Sequence, residues 1–495
     1  MVTRYNPGVR VPCGSVLLLF GLLFFLFSKT TGDVDLPGHL AFGRDIWETG
    51  RLVREDPYSY LTRGTPWIDH EWLSEAVFFA AYSLLGAWGL SLLKVSLYLL
   101  LAGLLYRHLR ERDISPLRTA ILILLPFLPL LHPRYVTLRP DAFTSLLFAA
   151  LLIRLEAGER SGGPAPAWTL GLFALWANLH GGFLAGLGAL AVWTLVQRRG
   201  AAALAAAAGG TLLNPYGARL WGFLLRTAVG PRPEITEWRP LELWSASGAH
   251  FLGLLLLCGL GWAFTRRERG RAQFAVFLCL CALPFIALRH TLLCALGMLV
   301  LSGEHVGDAW RRLVPEEPKP RLGEAGSSFE AAVDALACAV FLFFGWRNLG
   351  CIGTQGLQWP REAVALLEQS GAAGNLAVDF QWGEYAIWHL GPRVKVSIDG
   401  RRETAYPPEI QAENLRFLRG TEGWSDLIDR PETDLVLVRR GAPAFEKTEG
   451  RPEWALVHGS PAGGLFARKG SALHAVLLKA RSSMSPARAL PCFPD

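Results

Sequence analysis

The chain has 495 residues, 51% of them hydrophobic and only 18% charged, with a mean hydropathy of +0.27. About one quarter of a soluble chain is charged, so this deficit, with the long apolar runs, excludes a wholly soluble or disordered protein and indicates an integral membrane protein. The 49 Lys+Arg against 42 Asp+Glu leave a net +7, but the basic residues lie in short loops between apolar runs, where they read as topology signals facing membrane lipid and not as a nucleic-acid surface.

Apolar runs of near-spanning length fall at about 12–28, 87–106, 116–131, 138–155, 166–180, 181–197, 199–213, 250–265, 271–288, 290–302 and 330–346. The first, Val16 to Phe27, lacks a small-residue cleavage site and reads as a retained span. Arg4 and Arg10 precede it. Arg107, Arg110 and Arg112 follow the second run, Arg154 and Arg160 the fourth, and Arg198 and Arg199 the sixth. Arg266, Arg267 and Arg269 follow the eighth, and Arg311, Arg312, Lys319 and Arg321 the tenth. With eleven spans all six clusters share one side, which the positive-inside rule makes cytoplasmic. A multi-pass protein of a bacterial inner membrane, with its active face extracytoplasmic, is the expectation.

That outer face receives the loop 29–86, the polar turns near His132, Asn178 and Asn214, the 218–249 loop, the Arg289-His290 pair and everything after Trp346. Within the first loop, Leu36, Leu40, Ile46 and Trp47 share a helical face, as do Trp72, Ala76, Phe79 and Ala80, which predicts two interfacial amphipathic helices. From 355 to 470 the pattern changes. Predicted helices (Arg361 to Gln369, Pro408 to Leu418) alternate with β-like runs at Leu376–Val378, Val394–Ile398, Asp434–Val438 and Trp454–Val457, indicating a small α/β domain. Residues 1–346 form the predicted membrane domain, and 471–495 a loosely ordered tail. The eight cysteines show no metal-ligand spacing and read as small apolar residues, not as a disulfide framework.

Chemistry-bearing residues concentrate on the outer face. Asp33 and Asp35 follow the first span, where partial desolvation suits a carboxylate to act as a general base. The plainer reading is a pair of interface acids or a helix cap before Leu36-Pro37. Arg134 suits either snorkelling or phosphate binding. For Arg139, beside Asp141, an internal ion pair competes with a phosphate contact; an arginine at a bilayer centre costs roughly 2.5–3.5 kcal/mol. His180 follows Asn178 at a glycine-rich turn between two short spans, and Arg289 with His290 suits an anionic head group or a basic anchor. Cationic donors and an acid on one face fit transfer of a group from a lipid phosphate. In the tail, Trp382-Gly383-Glu384-Tyr385 and Ile398-Asp399-Gly400-Arg401 stand out; Asp-Gly reads first as a tight turn, and Arg401 as a group covering a cavity mouth. No Walker loop, dinucleotide fingerprint, HExxH or nucleophile elbow occurs.

The layout resembles the GT-C superfamily of membrane glycosyltransferases, including the protein O-mannosyltransferases and aminoarabinose transferases. Asp35 through Gly50, followed by Asp56-Pro57, matches the family's carboxylate, helix and proline-containing stretch, with His39 where relatives often carry an aromatic residue. A closer resemblance, over nearly the whole chain, is to a bacterial group within it. That resemblance rests on Asp33-x-Asp35, His70-Glu71-Trp72-Leu73, Asn178-Leu179-His180-Gly181-Gly182-Phe183, Asn214-Pro215-Tyr216-Gly217, Glu237-Trp238 and Ile398-Asp399-Gly400-Arg401.

The resemblance implies inverting transfer from a polyprenyl-phosphate sugar, with Asp35 or Asp33 as base. Arg139, Arg289 and His180 would meet the leaving phosphate; His39, Arg134, Asn178, Glu237, His290, Asp399 and Arg401 complete the candidate binding set. It implies no cofactor beyond the donor and no metal. The acceptor class is a glycan, lipid or protein hydroxyl, with no nucleic-acid partner. A lipid-linked-sugar binding protein, a flippase, or a ligase moving whole glycan chains is the competing reading.

Overall fold

The computed structural model describes residues 13–127, 136–229, 235–315, 324–483 and 492–493. It falls into two compact units, one of Met1–Thr30, Leu90–Gly217 and Gly230–Gly350, the other of Thr31–Gly89, Ala218–Val229 and Cys351–Asp495. Chain order placed the first outer loop with the membrane helices; in the structure it folds with the carboxyl-terminal region.

In the first unit every apolar run of the sequence falls on a helix. They are Cys13–Ser28, Ala87–Arg110, Pro116–Leu124, Asp141–Ser161, Pro166–Leu179, Phe183–Gln197, Ala201–Gly210, Ala246–Phe264, Arg271–Ala282, Thr291–Leu313 and Glu324–Leu349. Among the described residues, four helical stretches are long and apolar enough to cross a membrane: Ala87–Arg110, Ala246–Phe264, Leu288–Leu313 and Ser328–Leu349. Shorter apolar helices accompany them, so the protein is multi-spanning and mostly helical, with fewer helices of crossing length than the eleven expected.

Proline accounts for part of the shortening. Pro126 and Pro284 each sit in a 3-10 turn, Leu125–Phe127 and Leu283–Phe285, that ends the preceding helix, because the ring removes an N–H and clashes with the previous turn. Pro116 and Pro166 instead open helices at the first turn, where no N–H is required. The first and last helices pack along each other, and Glu324–Leu349 is otherwise mostly exposed, as a lipid-facing helix would be.

The second unit is built on a five-stranded sheet: β1 Gly374–Val378, β2 Val394–Val396, β3 Leu435–Arg439, β4 Trp454–Gly459 and β5 Gly463–Arg468. Its order is β2-β1-β3-β5-β4. β2, β1 and β3 run parallel, while β5 is antiparallel to both β3 and β4. The central strands read as continuous apolar runs because helices cover them; Val436 and Val438 pack with Phe417, Phe445, Trp454 and Phe466 in the core.

The β2 edge is covered by the first outer loop. Val396 N–H donates to Tyr58 O at 3.0 Å and Tyr60 N–H to Val396 O at 3.2 Å, so the loop acts as a further strand and removes an open edge. The two predicted amphipathic helices are present as Leu36–Thr49 and Trp72–Leu85, packed on each other.

Two sequence expectations need correction here. Cys351 and Cys492 form a disulfide across 141 positions of sequence; both lie outside the apolar runs, and so distant a pair leaves no spacing signal. The region beyond 470 is not simply a loose tail. Ala472–Ser482 is a helix with Leu477 fully buried, and Cys492–Phe493 pairs antiparallel with Ile352–Gly353.

Candidate functional site

The second unit brings together an acid-rich centre, beginning where Leu36–Thr49 starts. Asp33 and Asp35 have different tasks there. The Asp33 Oδ1 accepts the Asp35 backbone N–H at 3.0 Å, a local turn of the kind short acids favour. Asp35 occupies the cap position but makes no side-chain hydrogen bond to the helix backbone. Its carboxylate is therefore not consumed by capping, and it stands at the positive end of the helix dipole. His39 follows one turn later, its N–H bonded to Asp35 O at 3.0 Å.

Across from Asp35 stands Glu384, on the helix Phe380–Leu390, which Asp379 caps by accepting the Gln381 N–H. Two glycines make the approach possible. A Cβ on Gly400 would lie 2.5 Å from Glu384 Oε1 and 2.9 Å from Asp35 Oδ1, and a Cβ on Gly38 would lie 2.2 Å from Glu384 Oε2. Either side chain would collide, so both positions need hydrogen for space. Glu384 is buried and its Oε2 has no hydrogen-bond partner. Burial first, then the negative charges of Asp35 and Asp399, push its carboxyl well above the usual range, against the opposing pull of Arg401.

Asp399, expected in a tight turn, and Arg401, expected with Arg402 and Tyr406 as a possible cover of a cavity mouth, are both buried in this unit and bind each other. Arg401 Nε and Nη2 donate to the two Asp399 oxygens at 2.9 and 2.7 Å, and Nη1 donates to Asp56 Oδ1 at 2.9 Å. Tyr406 O–H donates to Asp399 Oδ2 at 2.6 Å. The guanidinium also lies over Trp67, at 4.7 Å from the ring centroid, and Tyr58, at 5.0 Å. The Asp-Gly turn is present, with Asp399 Oδ1 accepting the Arg401 N–H.

A third group joins His39 to Glu75, Nδ1 to Oε1 at 3.0 Å. With Glu71 these offer ligand atoms within 4.8 Å of one another, the one such group among the described residues. Its His-and-carboxylate composition would suit a divalent ion, while the His39–Glu75 hydrogen bond uses the same atoms. Buried Asp69 lies beside it, its carboxyl raised by burial and then by the charge of Glu75.

In the first unit, three predicted residues from distant parts of the sequence converge. Arg139 Nη1 donates to Glu237 Oε2 at 3.2 Å, and Arg289 Nη1 lies 3.8 Å from Glu237 Oε1. The Arg289 guanidinium also stacks 4.5 Å from the Trp238 ring centroid. Two short 3-10 turns, Thr236–Trp238 and Leu288–His290, set this geometry; His290 is the last residue of the second.

His180 Nδ1 accepts the Gly182 N–H at 2.9 Å and lies 2.8 Å from Thr144 Oγ1, which puts the proton of a neutral ring on Nε2. Asn178 directs its amide to Ala174 O and Leu213 O, at 2.7 and 2.8 Å, tying the end of one helix to the chain beyond another. Arg134 lies outside the described residues.

Glu384 was singled out only as part of its string, and Asp69, Glu75 and Trp238 not as site residues. For Glu384 a signal existed: it is the one acid in a helix that is mostly apolar and aromatic, and a lone acid in such a setting is costly unless it has a purpose.

Neither a protein-family model nor a curated protein matches the chain. Solved structures do. One is ArnT from Cupriavidus metallidurans bound to undecaprenyl phosphate, with TM-score 0.52 and 13% identity, covering 92% of this chain and 97% of that one. Another is the arabinofuranosyltransferase AftD from mycobacteria, with TM-score 0.51 and 15% identity, covering 92% of this chain. The present chain spans only 40% of the length of that AftD chain. At such identities the likeness is one of fold alone.

Proposed function

We propose that the protein is a membrane glycosyltransferase that moves a sugar from a polyprenyl-phosphate donor to an acceptor hydroxyl, with inversion, on the extracytoplasmic side. Asp35 is the general base. The observation that carries this reading is the placement of Asp35 at the N-terminus of Leu36–Thr49, with its Oδ1 and the Glu384 Oε1 both beside Gly400, while Asp33 Oδ1 accepts the Asp35 N–H. In the reaction, Asp35 takes the hydroxyl proton as the acceptor oxygen attacks the anomeric carbon and the lipid phosphate leaves with the bonding electrons.

The likeness to ArnT, solved with undecaprenyl phosphate, supports the donor class. Arg139 and Arg289, two cations that meet at Glu237, are suited to the leaving phosphate, with His180 as the third candidate. The acceptor is a glycan, lipid or protein hydroxyl admitted with the help of the carboxyl-terminal unit. The six basic loops support the orientation. So does the Cys351–Cys492 disulfide, since such bonds persist in oxidising compartments; a bacterial inner membrane is part of the same proposal.

The test is transfer of radiolabelled sugar from polyprenyl phosphate by membranes carrying Asp35→Asn. Loss of a general base lowers the rate about 10²–10⁴-fold. Undiminished transfer would remove Asp35 from the mechanism, and abolition by Asp33→Asn alone would reassign the base.

A further inference from the structure

Glu384 has no task in the transfer just described, yet it is a buried carboxyl without a cation of its own. The charged groups facing it are Asp35, Asp399 and Glu75 on the negative side and Arg401 on the positive. Arg401 already gives its N–H groups to Asp399, Asp56 and Tyr406. Glu384 Oε2 is sealed against Gly38 without a hydrogen-bond partner, while Oε1 and Asp35 Oδ1 crowd the same point above Gly400. An ionised carboxylate in so dry a place costs far more than a protonated one, and two acids sharing one site do not both ionise readily.

We propose that Glu384 is a positioning residue: it carries the single proton of an Asp35–Glu384 pair and donates it as a hydrogen bond to the Asp35 carboxylate. The proposal rests on Asp35 being the base. Glu384 then fixes the orientation of the Asp35 carboxylate toward the acceptor. During transfer the acceptor O–H bond breaks and its proton goes to Asp35. The new bond to the anomeric carbon forms, and the sugar–phosphate bond breaks with its electrons on the phosphate. Both acids are neutral at that moment, and Asp35 afterwards releases its proton to water.

The sign of the pH effect follows from linkage. Burial and the Asp35 charge raise the folded Glu384 carboxyl above its ordinary value of 4.5. Its contribution to stability is therefore complete below that ordinary value and is lost as pH rises through the folded one.

The experiment uses the full chain in lipid nanodiscs. Infrared spectra of the wild type and Glu384→Gln are compared across pH, alongside their melting temperatures. The expected result is a protonated-carboxyl C=O band that persists at neutral pH in the wild type and is missing from Glu384→Gln. In Asp35→Asn the band titrates at lower pH, because the neighbouring charge is gone. Glu384→Gln also melts with a shallower decline toward alkaline pH, a change that loss of packing alone does not produce. Identical neutral-pH spectra for wild type and Glu384→Gln overturn the proposal, as does a band whose titration ignores Asp35→Asn. The transfer assay separates the two claims: active Asp35→Asn with a shared-proton band removes the base but keeps the pair, whereas inactive Asp35→Asn with no band difference does the reverse.

Discussion

Arg401 and Glu237 are mirror images. In the second unit one guanidinium is clamped between two acids, Asp399 and Asp56, with both pairs fully buried. In the first unit one acid is flanked by two guanidiniums, Arg139 and Arg289, all three about one fifth to one third exposed. The first arrangement has its hydrogen bonds filled and is shut off from solvent. The second is partly open to solvent and sets two cations beside one acid. Burial with complete pairing suits a structural device, whereas partial exposure suits a place that a ligand can reach.

The contrast can be broken most severely at Arg401. Arg401→Leu strands two buried carboxylates, and removing one partner from such a network costs about 3–5 kcal/mol. The expected outcome is a large drop in folded protein and melting temperature; a variant that melts like the wild type would deny the network its structural role. At the opposite pole, Arg289→Ala should leave the melting temperature nearly unchanged. Its expected effect is about tenfold weaker binding of undecaprenyl phosphate, or about 1.4 kcal/mol, measured by titration in detergent. Binding that is unchanged would argue against a phosphate role for this arginine. The smallest effect sharpens the picture: Glu237→Gln removes the competing acid, so the same lipid should bind a few-fold more tightly at low salt, with the gain fading as salt screens it.

Local signals in the sequence carried much of this architecture. Apolar runs located every helix of the first unit, and alternation located four of the five strands. β5 escaped because it opens with Gly463-Gly464, residues that read as a turn. Asp35 was legible because an acid before Leu-Pro at the end of an apolar run is a local pattern.

The partners of these residues were not legible. Arg401 and Asp56 are 345 positions apart, and Glu384 meets Asp35 through a loop and a helix from the far end of the chain. No periodicity encodes such meetings. Gly400 illustrates the point: it sits in the turn that the sequence predicts, but its backbone is not among the positive-φ positions, and the requirement for glycine is room for two carboxyls.

The disulfide has one more consequence. Because Cys351 is bonded to Cys492, the stretch between them is a covalent ring that holds all five strands of the sheet. A protease that nicks this ring once opens it without shedding a fragment, so the cut protein keeps its mass until a reductant is added.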